Sequence, residues 1–198
     1  MNILLLGDSI RMHAQPFVAD YLAGFSVSGP TDNCQCSSTL RTNLNNWIGD
    51  NQYDVIHVNC GLHDVRYNPD CKTPVNNRHQ YQDNLQAIFQ NLATLNTPII
   101  WATSTPFNET IHNRAKSSRR YLADIQSYNA LSKALAKSYG FVVNDVYEMI
   151  ASTELDALLI DDGLHFNETG NQIIAQQIAQ AIVRATQSSA TIEEAAQI

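Results

Sequence analysis

The sequence predicts one α/β domain of three layers, a five-stranded parallel sheet with helices covering both faces. Three observations predict it. Short apolar runs of strand length alternate with longer segments of helical period along the chain. A length of 198 residues suits a single domain with a sizeable core. An apolar fraction of 44% with 16% charged residues belongs to a folded globular chain, not a disordered one.

The first strand covers residues 3–6 and ends at Gly7-Asp8-Ser9. Residues 11–22 read as helix, with Met12, Phe17, Val18, Tyr21 and Leu22 available to face the sheet. A weak second strand, 25–28, stops at Gly29-Pro30, where the chain must turn. Residues 39–47 form a second helix with Leu40, Leu44, Trp47 and Ile48 as its stripe. Residues 55–58 are a buried strand that leaves into Asn59-Cys60-Gly61-Leu62-His63-Asp64. Two prolines and several Asn and Asp make 67–77 a loop. A helix over 81–95, a strand over 98–102 and a polar loop over 103–118 follow. The next helix, 121–139, stops at Gly140, and 141–143 is the last strand. A short helix at 146–151 precedes a closing helix over 168–184, with Ile173, Ile174, Ile178 and Ile182 inward. These segments make one domain over 1–185. The Ser-, Ala- and Glu-rich tail, 186–198, is expected to fray.

Charge and cysteines narrow the partners. Twelve Lys and Arg against nineteen Asp and Glu give a net charge of −7. An acidic surface repels phosphate backbones and anionic lipid, which argues against nucleic-acid and membrane partners. No apolar run approaches the roughly 20 residues of a membrane span. The first residues lack a basic region and a long apolar stretch, so a cytoplasmic location is the expectation unless a leader has been removed. Cys34 and Cys36 lie one residue apart, which is not zinc spacing, so reduced structural cysteines are favoured over a metal site. The first turn also lacks the Gly-x-Gly-x-x-Gly of dinucleotide enzymes, and no cofactor is expected.

Functional groups in open α/β sheets gather where strands end and helices begin, which selects the loops 7–10, 59–66 and 103–118. Ser9 sits at the first such turn, as nucleophile or as a simple helix cap. A serine needs a base, and the base needs a group that holds its tautomer. Asp162-Gly163-Leu164-His165 offers both within one loop, although Asp162 could be a turn residue and His165 a solvated one.

A strand-Gly-Asp-Ser-helix at the start, with Asp-x-x-His before the last helix, resembles the SGNH or GDSL-like hydrolases over residues 5–182. The resemblance implies a flavodoxin-like three-layer sandwich, esterase-type activity and no metal or organic cofactor. By position it makes Ser9 the nucleophile, His165 the general base and Asp162 its orienter. The family's third block reads Gly-x-Asn-Asp, and Gly61-Leu62-His63-Asp64 stands there. His63 then donates to the oxyanion, with Asp64 fixing its tautomer, or else packs as a loop histidine. Gln35 falls where the second block has glycine and would offer its backbone N–H, with the Asn33 side chain as an alternative donor. Asp8 joins these as a candidate lining of the site. Arg11, His13 and Arg66 could contact substrate or simply be solvated. Asn108-Glu109-Thr110 and Asn167-Glu168-Thr169 match the glycosylation pattern.

The loops carry Asn, Thr, Arg and His, and no lid helix or apolar insertion for a fatty chain is visible. The expected substrate is therefore a short-acyl, O-acetyl ester of a small molecule or carbohydrate. An O-acyltransferase with the same triad and a non-catalytic carbohydrate-binding module are the alternatives. Oligomeric state is not legible in the sequence.

Overall fold

Five short runs form strands because their branched and apolar residues fit a pleated, covered surface. These are β1 (Asn2–Leu6), β2 (Ser26–Ser28), β3 (Val55–Asn59), β4 (Ile99–Ala102) and β5 (Val142–Asn144). All pair in parallel, in the order β2-β1-β3-β4-β5. This is the flavodoxin-like order. β3 and β4 are buried along their whole length, whereas the edges β2 and β5 carry Ser and Asn and are partly exposed. The computed structural model describes the backbone of residues 1–195 and side chains through Gln187.

Eight helices connect and close the sheet among the described residues: α1 (Ser9–Tyr21), α2 (Ser37–Ile48), α3 (Arg78–Leu92), α4 (Glu109–Ala115), α5 (Leu122–Ser138), α6 (Val146–Ala151), α7 (Leu155–Leu158) and α8 (Glu168–Ala195). Helix α1 packs on α8, and α2, α3 and α5 pack in series, which makes the two outer layers. Ile10, Ala14 and Val18 are the buried stripe of α1, while Tyr21, expected inward, is half exposed. Phe89 of α3 meets Trp101 of β4 edge-on at 4.9 Å and Phe141 at 5.2 Å, anchoring one layer on the sheet. On β3, burial pushes the His57 imidazole down to about 4, so it stays neutral. Asn144 Nδ2 donates to His57 Nε2 at 3.2 Å, and Gln177 of α8 donates to Asn144 Oδ1 at 2.9 Å.

Two helices depart from the pattern. The polar segment 103–118 contains α4, started by Asn108, whose side chain accepts from the Ile111 N–H at 2.9 Å. Single-turn α7 follows α6. Helix α8 runs on past Arg184 to Ala195, while 196–198 lie outside the described residues, and with them part of the tail expected to fray.

Register places the site. Leu6 pairs with Val58, so β1 and β3 end side by side. From β1 the chain crosses to β2 on one side, and from β3 it crosses to β4 on the other. Their following loops therefore part and leave a crevice at this switch in strand order.

Candidate active site

Ser9 opens α1 without capping it. The cap is Asp8, whose Oδ1 accepts the Ile10 N–H at 3.0 Å. Asp8 is fully buried, so it supports the turn and does not line the site as expected. Gly7 is required here, because a Cβ would run into the Asn59 side chain and come within 2.8 Å of Arg11 Cβ. With the cap supplied by its neighbour, the Ser9 hydroxyl is free to donate to His165 Nε2, at 2.9 Å.

The loop before α8 is wound around Asp162. Its Oδ1 accepts the backbone N–H groups of Leu164 (3.0 Å) and His165 (2.9 Å), and Oδ2 accepts His165 Nδ1–H at 2.7 Å. Gly163 permits this turn at φ +68°, and a Cβ there would lie 2.7 Å from the His112 nitrogen of α4. Burial raises the Asp162 carboxyl, but hydrogen bonds from the His165 backbone, its ring and the Leu164 N–H outweigh it and hold the carboxyl well below its ordinary range. An ionised Asp162 keeps the proton of His165 on Nδ1, leaving Nε2 to accept from serine. The His13 ring lies 5.5 Å from that of His165. Partial burial and the neighbouring imidazole push His13 down, so it stays neutral.

The loop after β2 is held from below by Arg11. Its guanidinium donates to the carbonyls of Pro30 (3.0 Å), Asp32 (3.0 Å) and Gly7 (3.3 Å) and to Gln15 (2.9 Å). Buried, with both terminal nitrogens spent on these four acceptors, Arg11 positions the loop and does not line the cavity that holds Ser9. Asn33 Oδ1 accepts the Gln35 N–H at 2.8 Å. That bond corrects the expectation for Gln35, whose N–H is already engaged; the residue itself is exposed at φ +54°, a conformation glycine adopts freely. Asn33 is left with its Nδ2 as the donating end, and it shares a cavity with Ser9.

Among the described residues the Asp64 carboxylate makes no hydrogen bond to His63, contrary to expectation. It accepts from the Ser37 N–H (3.0 Å), Ser37 Oγ (2.5 Å) and Asn76 Nδ2 (2.8 Å). Ser37 Oγ also accepts from Asn84 of α3 at 3.0 Å. Asp64 thus binds the start of α2 to the loop after β3 and fixes the spacing of two walls of the site. Burial pushes the Asp64 carboxyl up to about 6 against the pull of these donors. His63 faces the cavity, and burial together with Arg120 and Arg66 keeps it neutral, one ring nitrogen carrying a proton to donate.

The loop after β4 supplies residues that the pattern did not single out. His112 Nε2 accepts from Arg120 Nη1 at 2.7 Å, so its proton is on Nδ1, which faces the Asp162 carbonyl at 3.3 Å. Arg120 Nε donates to the Leu62 carbonyl at 2.7 Å. Lys116 Nζ lies 3.6 Å from Asp162 Oδ2. The only signal for His112 and Lys116 was position in the third loop that follows a buried strand, and Arg120 lies just beyond it. Asn108 and Asn167, in the two glycosylation-like triplets, donate their amides to Asp156 (2.8 Å) and the Ala157 carbonyl (2.9 Å).

Ser9, Asn33, His63, Arg66, Arg120 and His165 enclose part of a cavity of about 290 Å³. A larger hollow of about 530 Å³ sits at the other end of the strands, beside Asn2 and Asp54. Its Asp54 is engaged by the Asn2 N–H at 2.6 Å, and no serine, cysteine or histidine lines it, so chemistry selects the smaller cavity.

The model of the GDSL-like lipase/acylhydrolase family matches residues 5–173. The chain belongs to this family. It is a carboxylic ester hydrolase. Solved structures with the same fold include an acetyl xylan esterase, 18% identical, with a TM-score of 0.76 over 92% of this chain and 100% of that one. A lipase/acylhydrolase from Enterococcus faecalis is 18% identical, with a TM-score of 0.74 over 91% and 94%. A GDSL-like lipase from Bacteroides thetaiotaomicron is 19% identical, with a TM-score of 0.70 over 93% and 88%. No sequence among the curated proteins matches significantly. No helix among the described residues of this GDSL-like hydrolase is long and apolar enough to cross a membrane.

Proposed function

We propose that this hydrolase cleaves short-acyl esters, O-acetyl groups on polar or carbohydrate-type alcohols foremost, by two-step acyl transfer. The observation that carries this reading is the unbroken line Ser9 Oγ, His165 ring, Asp162 carboxylate, with links of 2.9 and 2.7 Å. As Ser9 Oγ attacks the carbonyl carbon, His165 Nε2 takes its proton and Asp162 stabilises the imidazolium. The carbonyl oxygen becomes an oxyanion, held by the Ser9 N–H at the start of α1, by the His63 ring N–H and by Asn33 Nδ2. The intermediate collapses, and the leaving alcohol takes the proton from Nε2. Water then repeats the attack on the acyl-serine with His165 as base, which frees the acid and restores Ser9.

Polar side-chain types outnumber apolar ones around the mouth, which supports the substrate class. Leu62 and Leu164 are the apolar side chains around a mouth otherwise built of Asn, Ser, His, Arg and Lys. Hydrolysis of 4-nitrophenyl acetate and octanoate by wild type, Ser9→Ala and His63→Ala tests the reading. Acetate is expected to be preferred, Ser9→Ala to lose activity, and His63→Ala to fall about 10²-fold or more. Equal activity of wild type and Ser9→Ala refutes the nucleophile, and preference for octanoate refutes the acyl class.

A further inference from the structure

We infer that the ester taken by this site carries an anionic group, received by Arg66, Arg120 and Lys116 beside the nucleophile; this rests on the esterase reading above and names its substrate class. The whole chain carries a net charge of −7, yet three cations line one wall of the cavity that holds Ser9. That local inversion of sign is what a negatively charged ligand would recognise.

Two of the three cations make no ion pair among the described residues. Arg120 is only 4% exposed, and two of its nitrogens are used on neutral acceptors, the Leu62 carbonyl and His112 Nε2. Its Nη2 makes no hydrogen bond among the described residues. Arg66 forms no side-chain hydrogen bond or ion pair among them, and its Nε is buried without a partner. Removing a guanidinium from water without a carboxylate costs several kcal/mol, a cost an incoming anion would offset. Asp8 and Asp162 act on Arg120 only through space, without an ion pair. Asp162 Oδ1 holds two backbone N–H groups and Oδ2 holds His165, while Asp8 is sealed under α1. Burial and the repulsion of Arg66 lower Arg120 to about 10, in keeping with two guanidinium groups facing one space. A planar fork with free donors receives a carboxylate in two-point fashion, and Lys116, about half exposed at the rim, adds a point charge.

A different role for these cations, holding the tetrahedral oxyanion, would act on every ester alike. Matched esters separate the two. 4-Acetoxybenzoate against its methyl ester places the charge on the alcohol. Mono-4-nitrophenyl adipate against its methyl ester places it on the acyl group. With each kcat/KM divided by the ester's own hydroxide-catalysed rate constant, the anion is expected to win by about tenfold or more in one pair. Which pair responds assigns the wall to the alcohol or the acyl side. That preference should shrink with added salt and fall about tenfold in Arg66→Gln, the loss appearing in KM. Lys116→Gln, at a half-exposed position where folding is not at stake, should lower it about threefold. No preference for either anion in wild type, or equal losses on both members of a pair in Arg66→Gln, overturns the inference and leaves the esterase intact. If no ester is turned over and a fluorophosphonate does not label Ser9, the esterase reading itself fails and takes this one with it.

Discussion

Replacing Asp162 by Asn changes one oxygen to an amino group, and the structure says which one. Oδ1 accepts two backbone N–H groups, at 3.0 and 2.9 Å. Turning the new amino group toward them would set donor against donor twice, at about 1–3 kcal/mol each, or about 2–6 kcal/mol. Asparagine therefore keeps its oxygen on the backbone and presents NH₂ to His165 Nδ1, 2.7 Å away. Nδ1 must then accept, the ring proton moves to Nε2, and Nε2 now points a hydrogen at Ser9 Oγ instead of a lone pair. Such a ring cannot take the serine proton without first changing tautomer, and loss of the developing charge pair adds to the barrier. A fall in kcat of about 10³- to 10⁴-fold is expected, equivalent to about 4–5.5 kcal/mol. The assay is single-turnover release of 4-nitrophenol from the acetate ester. Nitrogen NMR of the labelled imidazole would report the tautomer independently. If Asp162→Asn retains more than a tenth of wild-type kcat, or its proton stays on Nδ1, the tautomer argument is wrong.

Two further predictions concern the frame of the site. Arg11→Met removes donors to three loop carbonyls, so a loss of about 3 kcal/mol and a Tm lower by about 6–12 °C are expected by calorimetry; an unchanged Tm would show that Arg11 does not hold the loop. Asp64 is raised from an ordinary 3.8 to about 6, so its contribution to stability is complete below about pH 4 and is lost as pH rises through about 6. Asp64→Asn should therefore gain about 3 kcal/mol relative to wild type between pH 4 and 7 in urea titrations, and a difference independent of pH would refute the burial argument.

Strand signals were legible because β1, β3 and β4 are buried runs with no competing helical period, and the loops after all three line the cavity. Helix α4 was not legible. It is seven residues long with His112 as its buried residue, so no apolar stripe marks it, and it stands by its Asn108 cap and its packing under Gly163. The Asn77-x-x-Gln80 capping box was a usable signal that places the start of α3 at Arg78 rather than at 81. Ser9, Asp162 and His165 could be found from local motifs. The role of Asp64 could not, because its partner Ser37 lies 27 residues away and only the folded chain brings the two together. Arg11 and Arg66 carry the same side chain near the same loops, and the acceptors that the fold gives to Arg11 but not to Arg66 separate a strut from an open cation.

The hydroxyl and imidazole that meet at 2.9 Å are separated by 156 residues of chain. At about 5–20 residues per second, a ribosome delivers His165 roughly 10–30 s after Ser9. Throughout that interval the proposed nucleophile lacks its His165 partner, so on the reading above the growing chain reacts only slowly with activated esters. Activity, on the reading proposed above, requires the final loop to dock between α4 and α8, a strongly non-local pairing. Ester turnover in a refolding mixture therefore measures completion of the fold, and it should lag behind the return of helical signal.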